Sequence, residues 1–185
     1  ITGLPIALDQ MVAWRGYLLS KIEKLRPNRV FEVGVGSGLL MYPLLESVAE
    51  YVGLDISSTV INRHDARISR SKHSGKCRFF HLDANQIDSL KDQGTFDTIL
   101  INSVCQYFPN IEYFKSVIKK CLHRLSVGGT IFLGDVRNFD LQKNLIGEKL
   151  KYQGRTAATS QAELAVTFEN ELMISPKYFE YLALR

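Results

Sequence analysis

Apolar residues along this chain keep two rhythms, and each rhythm predicts an element. Between Leu4 and Arg26 they recur at helical spacing. Met11, Leu18, Ile22 and Leu25 share one face, and Pro27-Asn28 stops the helix. Short apolar runs then predict strands at Arg29–Gly34, Tyr51–Asp55, Cys77–Leu82, Phe96–Ile101 and Thr130–Leu133. Helical patterns fill the gaps, over Ser37–Val48, over Thr59–Arg70 and along Ile111, Phe114, Ile118, Cys121, Leu122 and Leu125. Gly128-Gly129 is expected to turn the chain into the fifth strand. Beyond Leu133 the pattern is helical only: Leu141–Tyr152, Gln161–Leu172 and Pro176–Leu184, with a loop over Gly154–Thr159. Strands that alternate with helices predict an α/β fold with a doubly wound, mostly parallel sheet, strand order 3-2-1-4-5.

The predicted organisation is one domain over residues 1–185. It comprises an N-terminal helix (1–28), a sheet core (29–139) and a helical segment (140–185). The chain begins at Ile1 without a Met, so we expect a fragment of a larger multidomain protein.

The chemistry concentrates where the first strand ends. Val30-Phe31-Glu32-Val33 runs into Gly34-Val35-Gly36-Ser37-Gly38. Glycines at a strand–helix turn let a ligand approach the backbone closely, and a helix N-terminus supplies free N–H groups. The spacing is G-x-G-x-G, whereas the turn that wraps a pyrophosphate is G-x-G-x-x-G. Glu32 adds an acid just before the glycines. A phosphate-free nucleoside with a cationic amino-acid end, such as S-adenosylmethionine, suits such a turn. Asp55 ends the second strand beside it, where a carboxylate reaches both ribose hydroxyls. Its alternative role is to cap the next helix, although Ser57 and Ser58 can do that. Asp83 ends the third strand and is either an adenine contact or a turn residue. Asn102-Ser103-Val104 follows the fourth strand at the point where strand order reverses, and ligands bind there. Cys105-Gln106-Tyr107-Phe108-Pro109 is expected on the far wall. Asp135 and Arg137 follow the fifth strand on the same edge.

Composition excludes more than it selects. Hydrophobic residues make up 45% and charged residues 23%, ordinary for a globular domain, and no apolar run approaches a membrane span. The net charge of +4 is mild. The basic run around Arg63, Arg67 and Arg70 lacks interleaved aromatics, so we expect no nucleic acid. Three cysteines without a C-x-x-C pair imply a reducing, cytoplasmic setting. The four histidines have no ligand spacing, so no metal is expected.

With these residues in place, the chain resembles the class I S-adenosylmethionine-dependent methyltransferases, which have a Rossmann-like fold. Glu32 to Gly38 matches their first motif, Asp55 their ribose acid, and Asp83 their adenine contact. It is similar, more specifically, to the N-methyltransferase domains embedded in nonribosomal peptide synthetases. Asn102 to Pro109 looks like their N-S-V-x-Q-Y-F-P, Gly134 to Asn138 their G-D-V-R-N, and Met11 with Trp14 their M-x-x-W. The final antiparallel strand pair of the superfamily has no counterpart in the pattern.

The resemblance implies a cofactor site of Glu32, Gly34, Gly36, Gly38, Asp55, Ile56, Asp83, Ala84, Asn102, Ser103 and Val104. It would bind S-adenosylmethionine and release S-adenosylhomocysteine. The implied catalytic group is Gln106, Tyr107, Asp135 and Arg137, acting on the α-amine of an aminoacyl thioester on a peptidyl carrier protein beside an adenylation domain. A free-standing small-molecule methyltransferase and an inactive module of the same fold are the alternatives.

Overall fold

Strands buried on both faces need cover on both faces, and the helices between them supply it. The computed structural model describes residues 6–152, 154 and 170–183. Its sheet has five parallel strands in the order β3-β2-β1-β4-β5. These are β1 (Arg29–Val33), β2 (Glu50–Asp55), β3 (Cys77–His81), β4 (Phe96–Asn102) and β5 (Leu125–Gly134). The helices are α1 (Leu8–Glu23), α2 (Met41–Leu44), α3 (Ser58–Ile68), α4 (Ile111–His123), α5 (Gln142–Tyr152) and α6 (Pro176–Ala183). Strand order and direction match the expectation.

Side-chain alternation divides the core in two. Phe31, Val33, Ile99 and Ile101 face α4, which contributes Phe114, Val117 and Cys121. Val30, Tyr51 and Leu100 face the other way, toward Leu18 and Ile22 of α1 and Ile61 and Ile68 of α3. Emptying a site such as Phe114, which is fully buried, costs about 3–5 kcal/mol.

Four elements depart from expectation. The first crossover is not a helix over Ser37–Val48 but one turn, Met41–Leu44. Gly36 and Gly38 hold left-handed φ of 50° and 77°, and Pro43 offers no N–H. The chain therefore reaches β2 through loose turns, and no long helix points its N-terminus at the glycines. β5 begins at Leu125, not Thr130. Leu125 pairs with Phe96 and Thr130 with Thr98, so Ser126–Gly129 bulges out of an otherwise continuous strand. α1 stops at Glu23, and Arg26 turns left-handed at φ 54°. Of the predicted Gln161–Leu172 helix, residues 161–169 lie outside the described residues, and 170–172 are not helical. Leu172 N–H instead donates to the Gln106 carbonyl and Ile174 N–H to that of Arg137. The predicted loop over Gly154–Thr159 also lies outside the described residues, apart from Gly154 itself.

Candidate active site at the carboxyl edge of the sheet

The carboxyl ends of β1, β2 and β4 open into a cleft of about 460 Å³. Parallel strands leave their carboxyl ends free of the crossover helices, and at a reversal of strand order the two flanking connections diverge. β1 contributes Gly34 and Gly36, whose left-handed φ values (78° and 50°) bring bare backbone to the floor. A Cβ at Gly34 would overlap the methyl groups of Val104, so the turn from β1 and the turn from β4 touch here.

Asp55 lies between the glycines and α3. Its Oδ2 accepts the Gly36 N–H at 2.9 Å, and its Oδ1 accepts the Ser57 N–H at 2.9 Å. Ser57 in turn caps α3 by accepting the Val60 N–H. Ser57, not Asp55, therefore caps α3; Asp55 closes the turn before it, and each of its oxygens keeps a lone pair. Asp83 is a turn residue in the same way. Its Oδ1 accepts from Asn85 N–H and from the Tyr113 hydroxyl, and with Gln86 it forms a capping box for a 3₁₀ turn over Ala84–Ser89. Its Oδ2 has no protein partner among the described residues. Burial and the Asp83 carboxylate push the Tyr113 hydroxyl up to about 12, so it stays a donor.

Of the anticipated cofactor residues, the cleft brings together Gly34, Gly36, Asp55 and Ile56 on one side and Asp83 and Ala84 on another. Ser103 and Val104 come from β4, and Tyr107 stands at the rim, 73% exposed. Glu32, Gly38, Asn102, Gln106, Asp135 and Arg137 do not line it.

Each of these six has a definite place. Glu32 points to the α1 face of the sheet, 4% exposed, and Tyr51 OH donates to its Oε2 at 2.6 Å. Burial pushes its carboxyl up to about 8, partly offset by that hydrogen bond. Gly38 faces Tyr42 and His64 behind the loop. Asn102 donates from Nδ2 to Ser103 Oγ, while its Oδ1 is buried against Gly134 with no partner among the described residues. Gln106 turns inward, and its Oε1 is buried with no partner among the described residues. Asp135 reaches the cleft through Ser103, whose Oγ donates to Asp135 Oδ2 at 2.7 Å. Both residues hold left-handed backbones, φ 57° at Ser103 and 53° at Asp135, a strained pair at the ends of neighbouring strands. Arg137 pairs with Glu171 at 2.8 Å.

Sequence reasoning did not single out Leu54, Leu82 or Tyr113 as cleft residues. Tyr113 lies in α4, 30 residues from Asp83, and its ring meets Phe108 at 4.9 Å. No local signal marks it, apart from a hydroxyl beside the apolar stripe of α4.

The lining carries two carboxylates and no lysine or arginine among the described residues. That donor set repels a phosphate and suits a neutral or cationic nucleoside. Among the described residues, no group of three or more His, Cys, Asp or Glu side chains converges as a metal would require. No helix among them is long and apolar enough to cross a membrane. Fold and cleft together define a nucleoside-binding α/β enzyme domain.

The relatives make this specific. The family model described as a methyltransferase domain matches residues 31–131, and the chain belongs to that family. It is an S-adenosylmethionine-dependent methyltransferase. The expected kinship with nonribosomal peptide synthetases holds. The chain is 34% identical over 97% of its length to the nonribosomal peptide synthetase asqK of Emericella nidulans. It is 31% identical over 98% of its length to the chondramide synthase cmdD of Chondromyces crocatus. It spans only 7% and 5% of those two proteins. Solved structures share the fold. The N-methyltransferase NodS from Bradyrhizobium japonicum, in complex with S-adenosyl-L-homocysteine, superposes with a TM-score of 0.56 at 17% identity, over 82% of this chain and 72% of that one. An O-methyltransferase family protein from Burkholderia thailandensis gives 0.63 at 15% identity, over 92% and 49%.

Proposed function

We propose that this domain methylates the α-amine of an aminoacyl thioester held on a peptidyl carrier protein, beside an adenylation domain, in cytoplasmic nonribosomal peptide biosynthesis. The observation that carries the cofactor half of this reading is the doubly acidic cleft around Gly34 and Gly36, whose lining has no lysine or arginine among the described residues. Kinship with synthetases whose length the chain spans by only a few per cent supports the acceptor half.

The residues present fit the cofactor. Asp55, fixed by two backbone N–H groups, offers its remaining lone pairs to the ribose hydroxyls. Asp83, held by Tyr113, offers Oδ2 to the adenine amino group. Ile56, Ala84 and Phe108 give the base apolar walls. When bound, S-adenosylmethionine supplies an electrophilic sulfonium methyl group.

The remaining task of the protein is to align a neutral amine with that methyl and exclude water. An α-amine titrates near 7.7–8.0, so a strong base is unnecessary. Asp135, held by Ser103 at the β4–β5 edge, accepts an amine N–H and points the lone pair. Tyr107 at the rim covers the acceptor. Gln106 and Arg137 work from behind, tied through their carbonyls to Leu172 and Ile174.

Calorimetric titration with S-adenosylhomocysteine tests the cofactor half. Asp55→Ala is expected to weaken binding tenfold or more, about 1.4 kcal/mol. Mass spectrometry of an aminoacyl carrier protein tests the other half, with gain of one methyl on the amine as the expected result. Methylation of free amino compounds but not of the carrier-bound one would favour a free-standing small-molecule enzyme. A folded protein that binds no S-adenosylhomocysteine would sink the site assignment.

A further inference from the structure

The third glycine of the turn does not face the cleft, and what it does face has no part in the mechanism above. A Cβ at Gly38 would stand 2.7 Å from Tyr42 Cε2 and 2.9 Å from His64 Cε1. Gly38 thus makes room for two rings behind the loop. His64 is fully buried. It sits in register with Ile61 and Ile68 on the core face of α3, where a polar side chain needs a reason.

Its hydrogen bonds give the reason. The Gly36 carbonyl can only accept, so His64 Nε2 carries the proton and donates to it at 2.9 Å. Nδ1 then accepts from the Tyr42 hydroxyl at 2.9 Å. The Tyr42 ring is covered by the Arg67 guanidinium at 4.2 Å, and the other side of His64 meets Phe79 at 5.5 Å. Arg63 adds a second, exposed donor to the Gly36 carbonyl at 3.0 Å. The other end of the Gly36 peptide unit's residue, its N–H, donates to Asp55 Oδ2. A continuous path therefore runs from Tyr42 through His64 and the Gly36 backbone to the carboxylate assigned to ribose.

We propose that His64 is a positioning residue: seated on Tyr42, it clamps the Gly36 backbone and thereby sets the Asp55 carboxylate for the nucleoside. Burial keeps the imidazole neutral by lowering its pKa; the neighbouring Arg63 and Arg67 add to this, while the Gly36 bond and Asp55 oppose it. A neutral ring with Nε2–H is the state this path requires.

The functional consequence rests on the cofactor reading above, but the clamp itself is read independently of any ligand. In the apo protein, His64→Leu is expected to speed amide exchange at Gly36 tenfold or more while Ile99–Ile101 of β4 are unchanged. Nitrogen NMR of the wild-type imidazole is expected to show protonated Nε2 and unprotonated Nδ1. For S-adenosylhomocysteine, His64→Leu should weaken binding at least tenfold. His64→Gln, whose amide replaces Nε2, should stay within threefold of wild type. His64→Asn, whose amide replaces Nδ1, should resemble His64→Leu. If His64→Leu does not fold, Tyr42→Phe serves, with a two- to fivefold rise in Gly36 exchange. Unchanged Gly36 exchange in these variants, or His64→Gln failing as fully as His64→Leu, overturns the proposal. A wild-type protein that binds no S-adenosylhomocysteine overturns the cofactor reading instead, and the clamp is then decided by Gly36 exchange alone.

Discussion

On the β1–β2 side of the cleft, the backbone is held from behind by buried groups. Gly36 is bonded at both its N–H and its carbonyl, and Glu32 and Tyr51 lock β1 to β2 beneath it. On the β4–β5 side, the exposed Ser103–Asp135 pair holds two strained, left-handed residues together, with the unpaired Asn102 oxygen below. The first half holds its backbone in one arrangement. Its geometry is over-determined, and errors there propagate into the core. The second half keeps a strained, exposed pair above buried orphaned acceptors, which suits a site that completes itself around an incoming acceptor.

This contrast can be broken most forcefully at Glu32. Its carboxyl is raised to about 8 in the folded protein, from an ordinary value of 4.5. The folded state therefore holds the extra proton. The stability that this contributes is fully present below about pH 4.5 and is lost as pH rises to about 8. The swing is roughly 5 kcal/mol. Glu32→Gln should match wild type near pH 4 and exceed it by most of that amount at pH 9 in chemical denaturation. Parallel pH profiles for the two proteins would show that the β1–β2 half does not rest on a neutral buried acid.

Gly34→Ala should have the next largest effect. The new methyl meets Val104 and the residue must keep φ 78°, so a loss of about 3 kcal/mol is expected, together with weaker S-adenosylhomocysteine binding. Adding Val104→Ala should recover the steric part and leave the backbone part. No recovery in the double variant would show that the two turns do not press on each other.

The smallest effect sharpens the other half. Asp135→Asn keeps a residue type that tolerates a left-handed backbone. Methyl transfer should fall about tenfold, roughly 1.4 kcal/mol, with S-adenosylhomocysteine affinity within twofold. A larger loss of cofactor affinity than of rate would move Asp135 to the cofactor side.

Much of this molecule was legible as sequence. The apolar runs at β1, β2 and β4 are local signals, because a parallel strand buried on both faces is mostly apolar, whereas β3 lies at the sheet edge and keeps Arg78 and His81 exposed. Strand order followed from alternation with helices and the handedness of crossovers. Gly34, Gly36, Asp55 and Asp83 were legible because strand ends share one edge. Less legible was anything that depends on which way a side chain turns. Glu32 precedes the glycines by two residues, yet strand parity carries it to the α1 face, where Tyr51 waits. Gly38 belongs to the motif but serves His64, 26 residues on. Arg137 found Glu171, and Tyr113 found Asp83, over separations of 34 and 30 residues.

The sequence by itself determined the sheet, its order and the edge at which chemistry occurs, since these follow from periodicity and chain handedness. Only the tertiary structure decided which acids face the cleft, how short the first crossover is and what holds the glycine turn. Those depend on contacts between segments far apart in the chain, where burial and hydrogen-bond pairing across the core, not local propensity, select the outcome.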